Sequence, residues 1–93
     1  MALHVEEKML QFEYKKDTNK YDKSRFFEEE GGEKFDKNSN KQMLLMLQSV
    51  ADELNITDEY GIKKAELALR FELPFFAVNR RLIKKWILEN FIY

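Results

Sequence analysis

The sequence predicts an α+β fold: an N-terminal β-hairpin followed by three helices, in a single domain over residues 1–93. Three observations lead there. Leu10, Phe12 and Tyr14 alternate with Gln11, Glu13 and Lys15, the period of a half-buried strand. Met43, Leu47, Val50 and Leu54 recur along one helical face. Residues 64–83, KAELALRFELPFFAVNRRLI, read as two helices broken at a corner, Glu72-Leu73-Pro74.

Residues 2–9 suit either a short helix or the lead into a strand. The hairpin is expected over about residues 9–28. Asp17-Thr18-Asn19-Lys20 supplies the turn, through side chains that bond to nearby backbone. Residues 28–37 follow as an acidic loop, because Glu28, Glu29, Glu30 and Glu33 repel one another and Gly31-Gly32 weakens any helix or strand. Phe35 is expected to anchor its far end. Asn38-Ser39-Asn40 offers caps for a first helix over about 40–54, and Asn55 suits a left-handed stop. Thr57-Asp58-Glu59 looks like another helix start, with Gly61 separating that turn from a second helix over about 62–71 that buries Leu67, Ala68 and Phe71. Pro74 opens a third helix over about 74–90, since a missing N–H costs nothing in a first turn.

Composition narrows the function classes. A chain of 93 residues that is 44% hydrophobic and 35% charged has a globular make-up. The absence of Cys excludes disulfides and thiolate metal sites and suits a cytoplasmic protein. No signal peptide and no membrane-length apolar run is visible. His4 is the only His, so a metal site or a Ser-His pair has little to build on. Asp36-Lys37-Asn38-Ser39-Asn40 copies the opening of a calcium loop, then fails at Lys41 and Leu47, where Gly and Glu are needed. Neither an enzyme nor a cofactor or metal site is expected.

Charge is divided unevenly. Residues 1–61 carry 9 Lys and Arg against 14 Asp and Glu, whereas residues 62–93 carry 7 against 3. A basic binding face would produce such a split, and so would attraction between the two halves.

Residues 64–83 resemble the helix-turn-helix of small DNA-binding repressors. Leu67, Phe71, Leu73, Val78 and Leu82 stand at the motif's fourth, eighth, tenth, fifteenth and nineteenth places, which are apolar there. Ala68 stands at the fifth, where a small residue lets the helices touch. Glu72 departs at the ninth place, usually Gly, and Arg81 at the eighteenth, commonly apolar. With the hairpin as a wing, the resemblance implies a winged-helix-like core and a DNA-binding regulator of transcription.

On that reading Asn79 and Arg80 read bases of double-stranded DNA, by amide to adenine and guanidinium to guanine. Arg81, Lys84, Lys85, Lys63 and Lys64, with Lys15, Lys16 and Lys20 at the hairpin tip, neutralise phosphates. The alternative for the basic stripe is a solvated helix face.

A second reading comes from the same helix. Phe75, Phe76 and Ile83 occupy places where a DNA reader presents polar groups. With Trp86, Phe91 and Tyr93 they would form the contact surface of a protein-interaction module, an inhibitor or assembly factor. The apolar end of the helix suits either intramolecular packing or a homodimer interface.

Overall fold

A computed structural model describes residues 2–18, 20–21, 26–27, 34–74 and 79–91. Three helices form its frame: α1 Asn40–Leu54, α2 Glu59–Phe71 and α3 Arg80–Asn90, preceded by a single 3-10 turn at Glu7–Met9. Among the described residues there is no strand, so the fold is all-α and the expected hairpin over 9–28 is corrected. Two isolated bridges are the only β pairing among those residues, Lys15 with Ser39 and Lys34 with Asn79.

The alternation behind the hairpin is nonetheless present. Leu10, Phe12 and Tyr14 are half-buried, and Gln11, Glu13 and Lys15 are exposed. A period of two reports extended chain with one covered face, and does not say what covers it. Here the cover is helical. The segment is an arm laid over the bundle, and its backbone bonds mainly to groups from the helices and their caps. Val5 N–H donates to Gln48 Oε1 at 2.8 Å, and Leu3 N–H to the Ile56 carbonyl at 2.8 Å. Lys15 N–H donates to the Asn38 carbonyl at 2.7 Å. Residues 22–25 and 28–33, which include most of the expected return strand and the acidic loop, lie outside the described residues.

Local chemistry sets the helix bounds. Ser39 caps α1 by accepting from Gln42 N–H at 3.2 Å, and Asn55 ends it in the left-handed region at φ 52°. Asp58 caps α2 by accepting from Gly61 N–H at 2.9 Å. That cap makes Thr57-Asp58-Glu59 the true start of α2, and it places Gly61 inside the helix, not in a separating turn. α3 is capped by Asn79, which accepts from Leu82 N–H at 2.8 Å. Residues 75–78 lie outside the described residues.

The core is one cluster. Met43, Met46, Leu47, Val50 and Ala51 of α1 meet Ile62, Ala65, Ala68 and Leu69 of α2 and Ile83 and Ile87 of α3, with Ile56, Val5 and Phe26 closing it. Phe35 packs against it from outside.

Two helices are rotated from their expected faces. α2 turns Ile62, Ala65 and Leu69 inward, a spacing of i, i+3, i+7, and this leaves Leu67 40% and Phe71 66% exposed. α3 turns Arg80, Ile83 and Ile87 inward and leaves Leu82 43% exposed. Of the motif places occupied by Leu67, Ala68, Phe71 and Leu82, only Ala68 is in the core.

Candidate functional site

The beginning of α3 holds the two residues expected to read bases, and both have structural partners. Asn79 is the cap of its own helix. Arg80 is only 6% exposed. Its Nη1 donates to the Phe26 carbonyl at 3.2 Å, and its guanidinium lies 4.1 Å from the Phe26 ring centre and 5.5 Å from that of Tyr21. The aromatic faces attract the cation and shield it from water. Its Nε is buried without a hydrogen-bond partner, a cost that those contacts must offset.

The next cations extend this clasp. Arg81 Nε donates to the Phe27 carbonyl. Lys84 Nζ lies 4.6 Å from the Phe27 ring centre and 3.6 Å from Glu53 Oε1. Phe26 and Phe27 themselves meet edge to face, with ring centres 4.9 Å apart. Arg80, Arg81 and Lys84 therefore dock a Phe-Phe pair onto α3. Lys85 and Lys63 are exposed, as are Lys15, Lys16 and Lys20 of the arm, while Lys64 is half-buried with its Nζ 5.9 Å from the Phe91 ring centre.

A second buried charge sits on the inner side of α2. Glu66 is fully buried, and among the described residues the donors that reach it come from the arm. Gln11 N–H donates to its two oxygens at 2.9 and 3.2 Å, Gln11 Nε2 donates at 3.2 Å, and the Tyr14 hydroxyl donates to Oε2. Burial pushes the Tyr14 hydroxyl well above the usual tyrosine range, helped by the bond to Glu66 and by the Glu66 charge, and Arg70 opposes the shift.

Arg70, one turn on from Glu66, stacks within 4.8 Å of the Phe12 ring centre and 5.0 Å of that of Tyr14, and its Nη1 donates to the Lys37 carbonyl at 3.1 Å. These groups latch the arm to α2. Sequence reasoning missed the latch. The available signal was Glu66 standing between Ala65 and Leu69 on the apolar side of α2, a carboxylate where only a paired one is tolerated.

The outer side of α2 differs in kind. Tyr60, Leu67 and Phe71 are 72%, 40% and 66% exposed and follow one another at i, i+7 and i+11. The Phe12 ring meets Phe71 edge to face at 5.4 Å and lengthens the apolar stripe. Beside it, α2 and α3 enclose a crevice of about 300 Å³ lined by Lys64, Ala68, Glu72, Trp86, Ile87, Asn90 and Phe91.

Of the residues expected to contact a protein, Trp86 and Phe91 are half-buried and border this crevice, and Ile83 is 2% exposed in the core. Phe75, Phe76 and Tyr93 lie outside the described residues. Among the described residues, no group of three His, Asp or Glu side chains is placed to hold a metal ion, and no helix is long and apolar enough to cross a membrane.

Compared with protein-family models, with curated proteins and with solved structures, the chain matches none.

Proposed function

We propose that this chain is a protein-interaction module, an inhibitor or assembly factor, whose contact surface is the outer face of α2 with the adjoining crevice. One observation carries the reading. Tyr60, Leu67 and Phe71 form a solvent-facing apolar stripe on one helix, and large exposed apolar groups that lie together mark contact sites more often than scattered ones do.

The crevice strengthens it. A pocket of about 300 Å³ walled by Trp86, Ile87 and Ala68 suits one large apolar side chain of a partner. Interfaces concentrate their energy in such anchors, ringed by contacts that exclude water. Tyr60 and Phe71 add wide contact area at low entropic cost, because each has few rotatable bonds. The reading places the protein in the cytoplasm, which the lack of Cys suits.

The test is affinity capture with the full chain against a Leu67→Glu, Phe71→Glu double variant, with Lys85→Glu as the control. A partner held by the wild type and by Lys85→Glu but lost from the double variant supports the reading. Identical capture by all three proteins would contradict it. Light scattering on the purified chain identifies the case in which the partner is a second copy.

Nucleic-acid binding is the second reading, favoured by the exposed Lys85, Lys63, Lys15, Lys16 and Lys20. It expects retardation of mixed duplex DNA at low salt, weakening steeply as salt is added. No retardation at micromolar protein, or binding indifferent to salt, removes it.

A further inference from the structure

The arm meets the bundle at four stations spread over residues 3–15. Leu3 N–H donates to the Ile56 carbonyl and Val5 N–H to Gln48 Oε1, both at 2.8 Å. Gln48 Nε2 returns a bond to the Leu3 carbonyl at 3.2 Å, so one side-chain amide grips the backbone on both sides of His4. Gln11 N–H donates to Glu66 Oε1 at 2.9 Å, and Lys15 N–H to the Asn38 carbonyl at 2.7 Å.

This is a polar fastening. Among residues 3–15 only Val5 and Met9 are buried apolar side chains, and of the two only Val5 belongs to the core cluster. The helices build that cluster chiefly from their own residues, Leu47, Val50, Ile62, Leu69 and Ile87 among them. Lifting the arm therefore removes little of what holds the helices together.

The groups it uncovers are ones that water welcomes. Glu66 is a buried carboxylate, and its rehydration offsets much of the bonding lost from Gln11 and Tyr14. The four backbone N–H groups exchange protein acceptors for water at small net cost. Segments fastened this way lie at the low-stability end of a fold and open locally.

We infer that residues 3–15 are a releasable strap, which opens as one unit from a bundle that stays folded, with Glu66 as the latch. Glu66 holds both Gln11 N–H and the Tyr14 hydroxyl, so its failure loosens the stations on either side. Opening also lifts the Phe12 ring from Phe71 and shortens the apolar stripe of α2. A partner that grips the Phe12–Phe71 pair selects the closed form. That consequence rests on the interaction reading, whereas the opening itself does not.

The test is native-state amide hydrogen exchange by NMR on the full chain with no partner added, under conditions where opening is at equilibrium. Leu3, Val5, Gln11 and Lys15 N–H should share one opening constant, at least about tenfold larger than that of Leu47 and Val50 N–H in α1. Glu66→Gln keeps the shape of the side chain without its charge, and should raise all four constants together by about tenfold. Gln48→Ala, at a half-buried position, should raise all four by about fivefold, Lys15 as much as Val5.

Three results overturn the inference. Arm amides that exchange with the constant of Leu47 and Val50 would mean that the strap does not open apart from the bundle. Four unrelated constants would mean that it frays piece by piece. A variant that moves only the amides of its own station would remove Glu66 as the latch. None of these outcomes bears on whether the outer face of α2 holds a partner, which the capture experiment decides separately.

Discussion

On α2, Tyr60, Leu67 and Phe71 stand in solvent, while on α3 Arg80 is buried and Arg81 and Lys84 lean on Phe27. Two aromatic rings, Tyr60 and Phe71, face water on the outer side of α2, whereas the cations that open α3 face aromatic rings, as Arg70 does at the arm side of α2. The contrast shows that residue type alone does not assign a face. A guanidinium can enter a core when carbonyl oxygens and aromatic rings meet it, and the cost of its unpaired Nε is then carried by the rest of the cluster. Among the described residues, the α2 stripe is met only at its Phe71 end, by the Phe12 ring and the Arg70 guanidinium, and Tyr60 and Leu67 stay exposed. The difference is the basis for reading α3 as scaffold and α2 as surface.

The contrast can be broken at its strongest point on the inner side of α2. Glu66→Ala leaves Gln11 N–H and the Tyr14 hydroxyl without their buried acceptor, and should cost about 3 kcal/mol of stability in urea denaturation. A loss within error of zero would mean that the arm does not depend on this latch.

Arg80 comes next. Arg80→Ala removes the bond to the Phe26 carbonyl and two cation–π contacts, and should cost about 2 kcal/mol. A base-reading arginine behaves differently, because its replacement spares stability and removes DNA binding. The same denaturation curve therefore separates the two roles.

Alkaline pH probes the latch from the Tyr14 side. Burial first, then Glu66, raises the Tyr14 pKa above its unfolded value near 10. Below that value both states hold the proton and stability does not depend on this group. As pH rises past it, the unfolded chain gives up the proton while the folded chain keeps it. Stability then falls with pH. Tyr14→Phe should lose this part of the alkaline decline, read from denaturation midpoints between about pH 9 and 11.

The smallest effect belongs to the outer face. Leu67→Gln should change stability by no more than about 0.5 kcal/mol, as exposed positions do. A larger loss would place Leu67 in the core.

Part of this architecture was legible in the sequence. α1 was the clearest element: its period, Ser39 among the cap candidates and the Asn55 stop are all local signals, and the observed Asn40–Leu54 helix uses each of them. Leu10, Phe12 and Tyr14 also showed their period, but the α+β fold drawn from it was wrong, because alternation is the same whether an extended chain lies on a strand or on helices. Gly61 suggests a break before α2, but the Asp58 cap starts the helix at Glu59 and carries it through the glycine. The rotation of α2 and α3 was hidden for a different reason. Motif spacing placed Leu67, Phe71 and Leu82 inward, whereas Ile62, Ala65, Leu69, Ile83 and Ile87 form the stripes that meet α1. The Glu66 latch and the Arg80 clasp depend on residues more than fifty positions away in the chain, and no local pattern reports such pairs.

The division between the two helices is tested most directly by placing a photo-crosslinking amino acid at Phe71 of α2 in one protein and at Lys85 of α3 in another, and irradiating both in cells. A discrete protein adduct is expected from position 71, lost when Leu67→Glu is added, and none of comparable yield from position 85. Adducts from position 85 alone, removed by nuclease, would contradict it and return α3 to the role of a nucleic-acid face.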